Sequence, residues 1–283
     1  MATLRDIRDR ITAVQKTQKI TRAMKLVAAA RFARAQGAIQ AARPYAEKLR
    51  EVLGSVAAGV ESDAHPLLEP REVRRLDLVV FTSDRGLCGS YNSNVNKLAE
   101  NIARERSSEV DEVRIIPVGR KVGEYFSNRK VAHTLEGWQL LGTIDASHSE
   151  EIAKALMERY ASGETDRIDI VFAEFESALT QRPVVETLLP LAPETPDEIR
   201  TYEVEPDPVK MLAVLVPRAV EFTIYRALLE NQAGEHGARM TAMDNATNNT
   251  EELIRTLTID FNKARQASIT AELVEIVSGA EAL

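Results

Sequence analysis

Cysteine, aromatic residues and long apolar runs are all scarce in this sequence of 283 residues. Cys88 is the only cysteine, which excludes an intrachain disulfide or a dithiol switch and suits a reducing compartment. Aromatic residues make up 5% against a hydrophobic content of 44%. Alanine, valine and leucine must therefore carry the burial, as they do where helix packs on helix. The longest apolar runs fall far short of the ~20 residues that cross a bilayer. Met1 to Asp9 alternates charge with aliphatics, so neither membrane insertion nor a secretory signal is expected. His65, His133, His148 and His236 lack metal-ligand spacing to one another or to Cys88, and each is expected in a loop or on the surface. No nucleophile elbow or zinc-protease helix occurs, and Glu251 and Glu252 are expected to face solvent. The reading is of a protein with no catalytic residues, no metal and no cofactor.

What is present is charge asymmetry and helical periodicity. Residues 1–36 hold nine basic side chains against Asp6 and Asp9, a local balance of +7 in a chain of net charge −7. The remainder therefore carries −14, and an acidic protein partner is expected at the N-terminal segment. That segment opens with Leu4, Ile7, Ile11 and Val14, the narrow stripe of a coiled-coil seam. Gln18 and Thr21 then occupy seam positions, and the stripe is expected to resume one position out of phase at Ile20, Ala23, Val27 and Ala30. Helix formers continue to about Gly54, interrupted by Gly37 and Pro44. An unbroken helix of ~50 residues would measure roughly 75 Å; the alternative is two helices broken near Pro44.

Glu61 to Pro70 reads as a loop. A buried strand is expected over Leu76–Phe81, with further strands over Val113–Val118, Val131–Leu135, Ile168–Phe175 and Pro183–Leu189. Helical stretches at Asn92–Arg106, Lys121–Ser127 and Ser147–Tyr160 separate them, which argues an open α/β sheet of about five strands in unstated order. A proline-rich acidic linker, Leu191 to Pro208, closes this domain. Leu212, Val216, Val220, Ile224 and Leu228 follow at four-residue steps, and Leu253, Leu257, Phe261 and Ala264 restore a seam. Pro217 is expected to kink this helix or mark its start. The expected fold class is therefore mixed α/β: an antiparallel coiled coil of long N- and C-terminal helices (1–60 and 207–283) around a Rossmann-like domain (71–195).

Thr82–Asn92 is the most site-like stretch, since it follows a strand, holds Gly86 and Gly89, and opens a helix. It lacks the third glycine of the dinucleotide fingerprint and the Lys-Ser/Thr pair of a Walker loop. A tight turn with Ser90 or Asn92 as N-cap is the simpler reading. Glu235 and Arg239 read as a helix-surface pair worth about 0.2–0.5 kcal/mol. The C-terminal helix ends on Leu273, Val274, Ile276 and Val277, an apolar tip that calls for a partner.

Four stretches carry a resemblance. Thr17–Ala29 (TQKITRAMKLVAA), Thr82–Gly89 (TSDRGLCG), Ala238–Thr247 (ARMTAMDNAT), and Arg265–Thr270 (RQASIT) with Glu275–Ala280 (EIVSGA) are similar to segments of F-type ATP synthase gamma subunits. The resemblance runs the length of the chain and is strongest at both ends. It implies one central shaft per complex, standing in a ring of α and β subunits with its foot on the membrane c-ring. Rotation of that shaft couples proton or other ion flow to ATP synthesis, and the nucleotide chemistry lies in the partner subunits. The implied position is peripheral, on the cytoplasmic face of the cell membrane.

Carried over residue by residue, Met24 and Lys25 would face the acidic lever of a β subunit, with Arg239 on the opposing helix near the same contact zone. Arg265 and Gln266 match a catch on a β loop, with Thr270 and Glu272 just beyond. Leu273, Ile276, Val277 and Leu283 would fill a hydrophobic bearing. Glu205 would meet epsilon or the c-ring, although Val204 stands where many relatives carry tyrosine. Gly234 and Gly237 replace the serine and alanine of many relatives, which predicts a more torsionally compliant helix. Two rival readings are a coiled-coil scaffold with a small-anion-binding α/β module and a nucleic-acid-associated protein. The basic helix lacks the interleaved aromatics of the latter, so no nucleic-acid partner is expected.

Overall fold

The computed structural model describes residues 3–58, 60, 64–127, 129, 133–140, 144–193 and 207–281. Leu76–Phe81 is apolar on both faces apart from Asp77, which suits a strand covered on both sides. It forms β1 (Arg75–Phe81), the middle of a five-stranded sheet. The other strands are β2 (Glu112–Val118), β3 (His133–Thr134), β4 (Arg167–Phe175) and β5 (Gln181–Leu189), and the order is β3-β2-β1-β4-β5. The pairs β1–β2, β1–β4 and β2–β3 are parallel and β4–β5 is antiparallel. In β1 the register sets Leu78 opposite Ile115 on one side and Asp169 on the other. Strand order reverses between β2 and β4, so the turn after β1 lies at the topological switch, where open α/β sheets place their ligand crevice.

Alternate residues of β1 feed two cores. Leu76, Leu78 and Val80 pack with Val95, Ala99 and Ala103 of α2 (Tyr91–Arg106) and with Val122 and Phe126 of α3 (Arg120–Phe126). Val79 and Phe81 pack with Ile152 and Leu156 of α4 (Ala146–Ala161) and with Leu212, Val216, Val220, Ile224 and Leu228 of α5 (Pro208–Glu281). Each such aliphatic side chain, fully buried, stabilises the fold by about 1.5–3 kcal/mol relative to exposure. The four-residue steps of α5 thus mark the stripe that covers the sheet.

Helix α1 runs unbroken from Leu4 to Ala57 through Pro44, and α5 starts at Pro208 and runs through Pro217. The alternatives of a break at Pro44 and a start at Pro217 are therefore both set aside. A proline removes one ladder bond, but the packed residues on either side of Pro217, Leu212, Val216 and Val220, hold the helix on the sheet. Pro208 takes the first helical position, where its missing N–H costs nothing.

Contacts divide the chain into two units. One gathers Met1–Ala28 with Met240–Leu283, and the other spans Ala29–Arg239. In the terminal unit the seam is a strict heptad. On α1 the heptad positions Leu4, Ile7, Ile11, Val14, Gln18, Thr21, Lys25 and Ala28 are each half-buried or buried, and so on α5 are Met243, Thr247, Thr250, Ile254, Leu257, Phe261 and Ala264. Arg8 lies over Phe261, Thr21 Oγ1 is 2.8 Å from Thr247 Oγ1, and Lys25 Nζ is 2.6 Å from Asp244, so the helices run antiparallel. The expected shift of phase is therefore corrected: Ile20, Ala23, Val27 and Ala30 are exposed, and the seam passes through the polar residues. Thr21 is satisfied inside the seam by the Gln18 carbonyl one turn back, 3.1 Å from its hydroxyl, with the Thr247 hydroxyl beside it. Leu253 is likewise exposed, and Ile254 takes its place.

Candidate partner-contact surfaces

Because the seam consumes its polar positions internally, α1 turns apolar side chains outward. Ile20, Leu26 and Val27 are each more than half exposed, and Met24 between them is half-buried. Toward the end of α5, Arg265, Gln266, Thr270 and Glu272 are exposed. Thr270 Oγ1 donates back to the Gln266 carbonyl at 2.9 Å, and Glu272 Oε1 accepts from Ser268 Oγ at 3.4 Å, leaving the Arg265 guanidinium free among the described residues. Leu273, Val274, Ile276 and Val277 are each more than half exposed. Glu205 and Leu283 lie outside the described residues, as does Val204.

The other concentration of polar side chains lies where α5 crosses the β1–α2 turn. Asn231 is buried; its Nδ2 donates to the Thr82 carbonyl at 3.1 Å, and its Oδ1 accepts from Tyr91 Oη at 2.7 Å. Tyr91 also lies 3.0 Å from the Asn231 carbonyl. Two turns further on, Arg239 Nη2 donates to the Arg85 and Gly86 carbonyls at 3.3 and 3.1 Å and pairs with Glu235 at 2.7 Å. Glu235 and Arg239 are thus a largely buried pair that holds a loop, which corrects the surface reading. Burial raises the Glu235 carboxyl above its ordinary value.

His236 is corrected too. It lies inside α5 at 6% exposure with Nδ1 3.3 Å from Arg239, and burial, with Arg239 and Arg31 adding to it, lowers its pKa to about 4. His65 sits half-buried in a loop, its Nδ1 accepting from the Leu67 N–H, and His148 completes the capping box of α4 with Asp145. The His133 side chain lies outside the described residues.

Within the turn, Asn92 Oδ1 accepts from the Ser83 N–H at 3.0 Å. Ser90 takes the N-cap position without a side-chain cap bond, so Asn92 ties the turn instead of capping α2. Leu87 adopts φ 63, a left-handed conformation rare outside glycine. A crevice of about 300 Å³ opens beside the turn, lined by Arg31, Arg34, Asp84, Arg85, Glu235 and His236 among others. Cys88 is buried, and burial raises its thiol above the ordinary value, so it is a poor nucleophile. Among the described residues, no group of three His, Cys, Asp or Glu side chains is placed to hold a metal ion. None of their helices is long and apolar enough to cross a membrane.

Gly234 and Gly237 gain a reason that the sequence does not show. A Cβ on Gly234 would lie 2.9 Å from the Tyr91 ring, and one on Gly237 would lie 3.3 Å from Ala178 Cα. They are close-approach positions where α5 meets the sheet domain. Tyr91 falls within the site-like stretch Thr82–Asn92 but without a role of its own, and Asn231 is not singled out by the sequence; a glycine inside a strongly helical stretch was the available signal.

The family description "ATP synthase" matches residues 3–283. The ATP synthase gamma chain of Desulforamulus reducens is 48% identical over 288 residues, covering all of both chains. That of Moorella thermoacetica is 46% identical with equal coverage. Among solved structures, a chain of the Euglena gracilis mitochondrial ATP synthase rotor superposes with a TM-score of 0.66 at 19% identity, covering 94% of this chain and 98% of its own. A chain of the Tetrahymena thermophila mitochondrial central stalk and c-ring gives 0.60 at 22% identity, covering 80% and 99%. At such identities the likeness is one of fold, while the curated relatives match from end to end. The chain belongs to the ATP synthase gamma chain family.

Proposed function

We propose that the chain is the central stalk of an F-type ATP synthase, turning inside a ring of α and β subunits to couple ion flow through the membrane c-ring to ATP synthesis and hydrolysis. Family membership along the whole chain carries this reading. The surface fits it physically. Two antiparallel helices close their polar residues against each other and leave apolar side chains on the outside and at the tip, where a surrounding partner can cover them. On this reading the chain supplies no catalytic residue. A shaft biases its partners only by meeting each with a different face, because differential contact is what shifts a conformational equilibrium.

The contact residues follow from the family. Met24 and Lys25 face the acidic lever of a β subunit, and Arg239 acts there through the turn whose carbonyls it holds. Arg265 and Gln266 form the catch, with Thr270 and Glu272 beside them, and Leu273, Ile276 and Val277 seat in the bearing. The local +7 of residues 1–36 suits an acidic ring interior. Epsilon and the c-ring are the remaining partners, and the complex sits on the cytoplasmic face of the membrane.

Reconstitution tests the reading. The chain should enter a ring of α and β subunits in one copy, and ATP should drive its rotation. Removal of residues 273–283 should lower torque and ATP synthesis. A chain that never co-assembles with the ring, or a truncation indistinguishable from the full chain in assembly, torque and synthesis, would count against it.

A further inference from the structure

The ligand crevice of an α/β sheet lies past the carboxyl end of its strands at the topological switch. Here α5 fills that place with its own side chains. Asn231 reaches both flanks of the β1–α2 turn, donating to the Thr82 carbonyl at the end of β1 and accepting from Tyr91 Oη at the start of α2. Arg239 grips the tip of the same turn through the Arg85 and Gly86 carbonyls. Asn231 and Tyr91 are 1% and 3% exposed, so water does not compete for these bonds. Gly234, between the two grips, lets the Tyr91 ring approach the helix backbone.

We infer that Asn231 and Tyr91, with Arg239, form a torsional clamp that fixes the rotational setting of α5 against the sheet domain, so that turning force passes between the two without slip. The inference rests on the reading of the chain as a rotating shaft. Apolar packing is non-directional and resists sliding weakly. Hydrogen bonds are directional, and a turn of α5 by about 10° moves a side-chain tip at a radius of ~5–6 Å by about 1 Å. That displacement takes the 2.7 Å Tyr91–Asn231 bond out of range. Asn231 is bonded to both ends of the β1–α2 turn, so a rotation that carries its side chain along draws it away from partners fixed on the sheet domain. These are positioning residues: they set the angle at which the shaft delivers its motion.

The test uses the assembled complex with the catalytic ring immobilised and a probe on the exposed Leu179 loop of the sheet domain. Angular fluctuations of the probe in a paused state report torsional stiffness. Tyr91→Phe keeps the ring and removes only the hydroxyl, and the angular variance is expected to rise by about twofold as bonds carrying the restoring force are lost. The KM for ATP should stay unchanged. Asn231→Asp, which keeps the acceptor for Tyr91 and loses the donor to Thr82, should give an intermediate variance, and it carries the test if Tyr91→Phe assembles poorly. A structural role alone would lower yield or melting temperature and leave the variance of assembled rotors at the wild-type value; that result overturns the clamp. Failure of the wild-type chain to rotate would instead overturn the shaft reading.

Discussion

The α-carbon of Gly234 faces the ring of Tyr91 so closely that a methyl group there would lie 2.9 Å from Cε2. Helix propensity alone favours Gly234→Ala by about 1 kcal/mol. The contact reverses that sign, because Tyr91 is pinned by its hydroxyl to Asn231 and cannot withdraw without giving up its buried bonds. Overpacking of this kind costs about 1–3 kcal/mol. Gly234→Ala should therefore lower stability in urea denaturation. Gly237→Ala, whose nearest neighbour is 3.3 Å away, should be close to neutral. Equal stabilisation by both substitutions would mean that propensity dominates and that the close approach is relieved cheaply.

Asp77 makes the second prediction. It is fully buried on β1, 2.7 Å from Arg114 Nε and 3.0 Å from Arg159 Nη2. Burial pushes its pKa up while the two guanidinium groups pull it back down. Removing the carboxylate takes the shared buried anion from two largely buried cations, of which Arg159 keeps Glu164 at 2.7 Å and Arg114 keeps Glu112 at 3.7 Å; the loss is expected at about 3 kcal/mol, the low end for a broken buried pair. Asp77→Ala should show it as a large drop in the urea midpoint. A change below about 1 kcal/mol would mean that Glu164 and Glu112, already beside the two arginines, compensate them in full.

The elements of this fold were legible because their burial repeats. The strands β1, β2, β4 and β5 begin and end within about two residues of their apolar runs, Val131 and Ala132 of the expected third strand lie outside the described residues, and the four-residue steps of α5 predict the stripe that meets the sheet. What was not legible is polar burial. Thr21 reads as a break in the seam until Thr247, 226 positions away, sets a second hydroxyl opposite it, while the Thr21 hydroxyl also bonds back to the Gln18 carbonyl. Glu235, His236 and Arg239 read as a helix surface until the β1–α2 turn is folded over them. Residue type reports the cost of burying a polar group, but the partner that removes the cost lies far along the chain. The strand order was hidden for the same reason, since parallel pairing is set by long-range contacts.

His236 gives a pH prediction. Its folded pKa of about 4 lies below the ordinary 6.5, so between those values the unfolded chain binds a proton that the native chain refuses. Stability is then full above pH 6.5 and is lost as pH falls. Arg239 and Arg31 oppose the imidazolium, while Glu235, whose pKa is raised, binds its proton more readily in the folded chain and works the other way only in more acid solution. Going from pH 7 to 5.5 should cost about 1 kcal/mol through His236. His65 is shifted down as well, so the measurement is the difference between wild type and His236→Gln in denaturation curves at both pH values. Parallel losses in the two proteins would remove His236 as the source.

Lys25 gives a test that separates the shaft's own cohesion from the partner contact proposed for it. Its ammonium is 2.6 Å from Asp244, yet the two side chains remain 38% and 43% exposed. Water screens such a pair, which limits its contribution to about 0–1 kcal/mol. Lys25→Ala and Asp244→Ala should therefore each leave the stability of the isolated chain nearly unchanged. In the assembled complex their effects should diverge. On the proposed reading Lys25→Ala removes the cation that meets the acidic lever of a β subunit, so ATP-driven torque should fall. Asp244→Ala frees that cation for the partner, so torque should hold or rise. The two must be compared at low and moderate salt, because an exposed charge contact weakens as ionic strength rises. If both substitutions lowered torque alike, the pair inside the coiled coil would be the functional unit, and Lys25 would have no separate part in the contact.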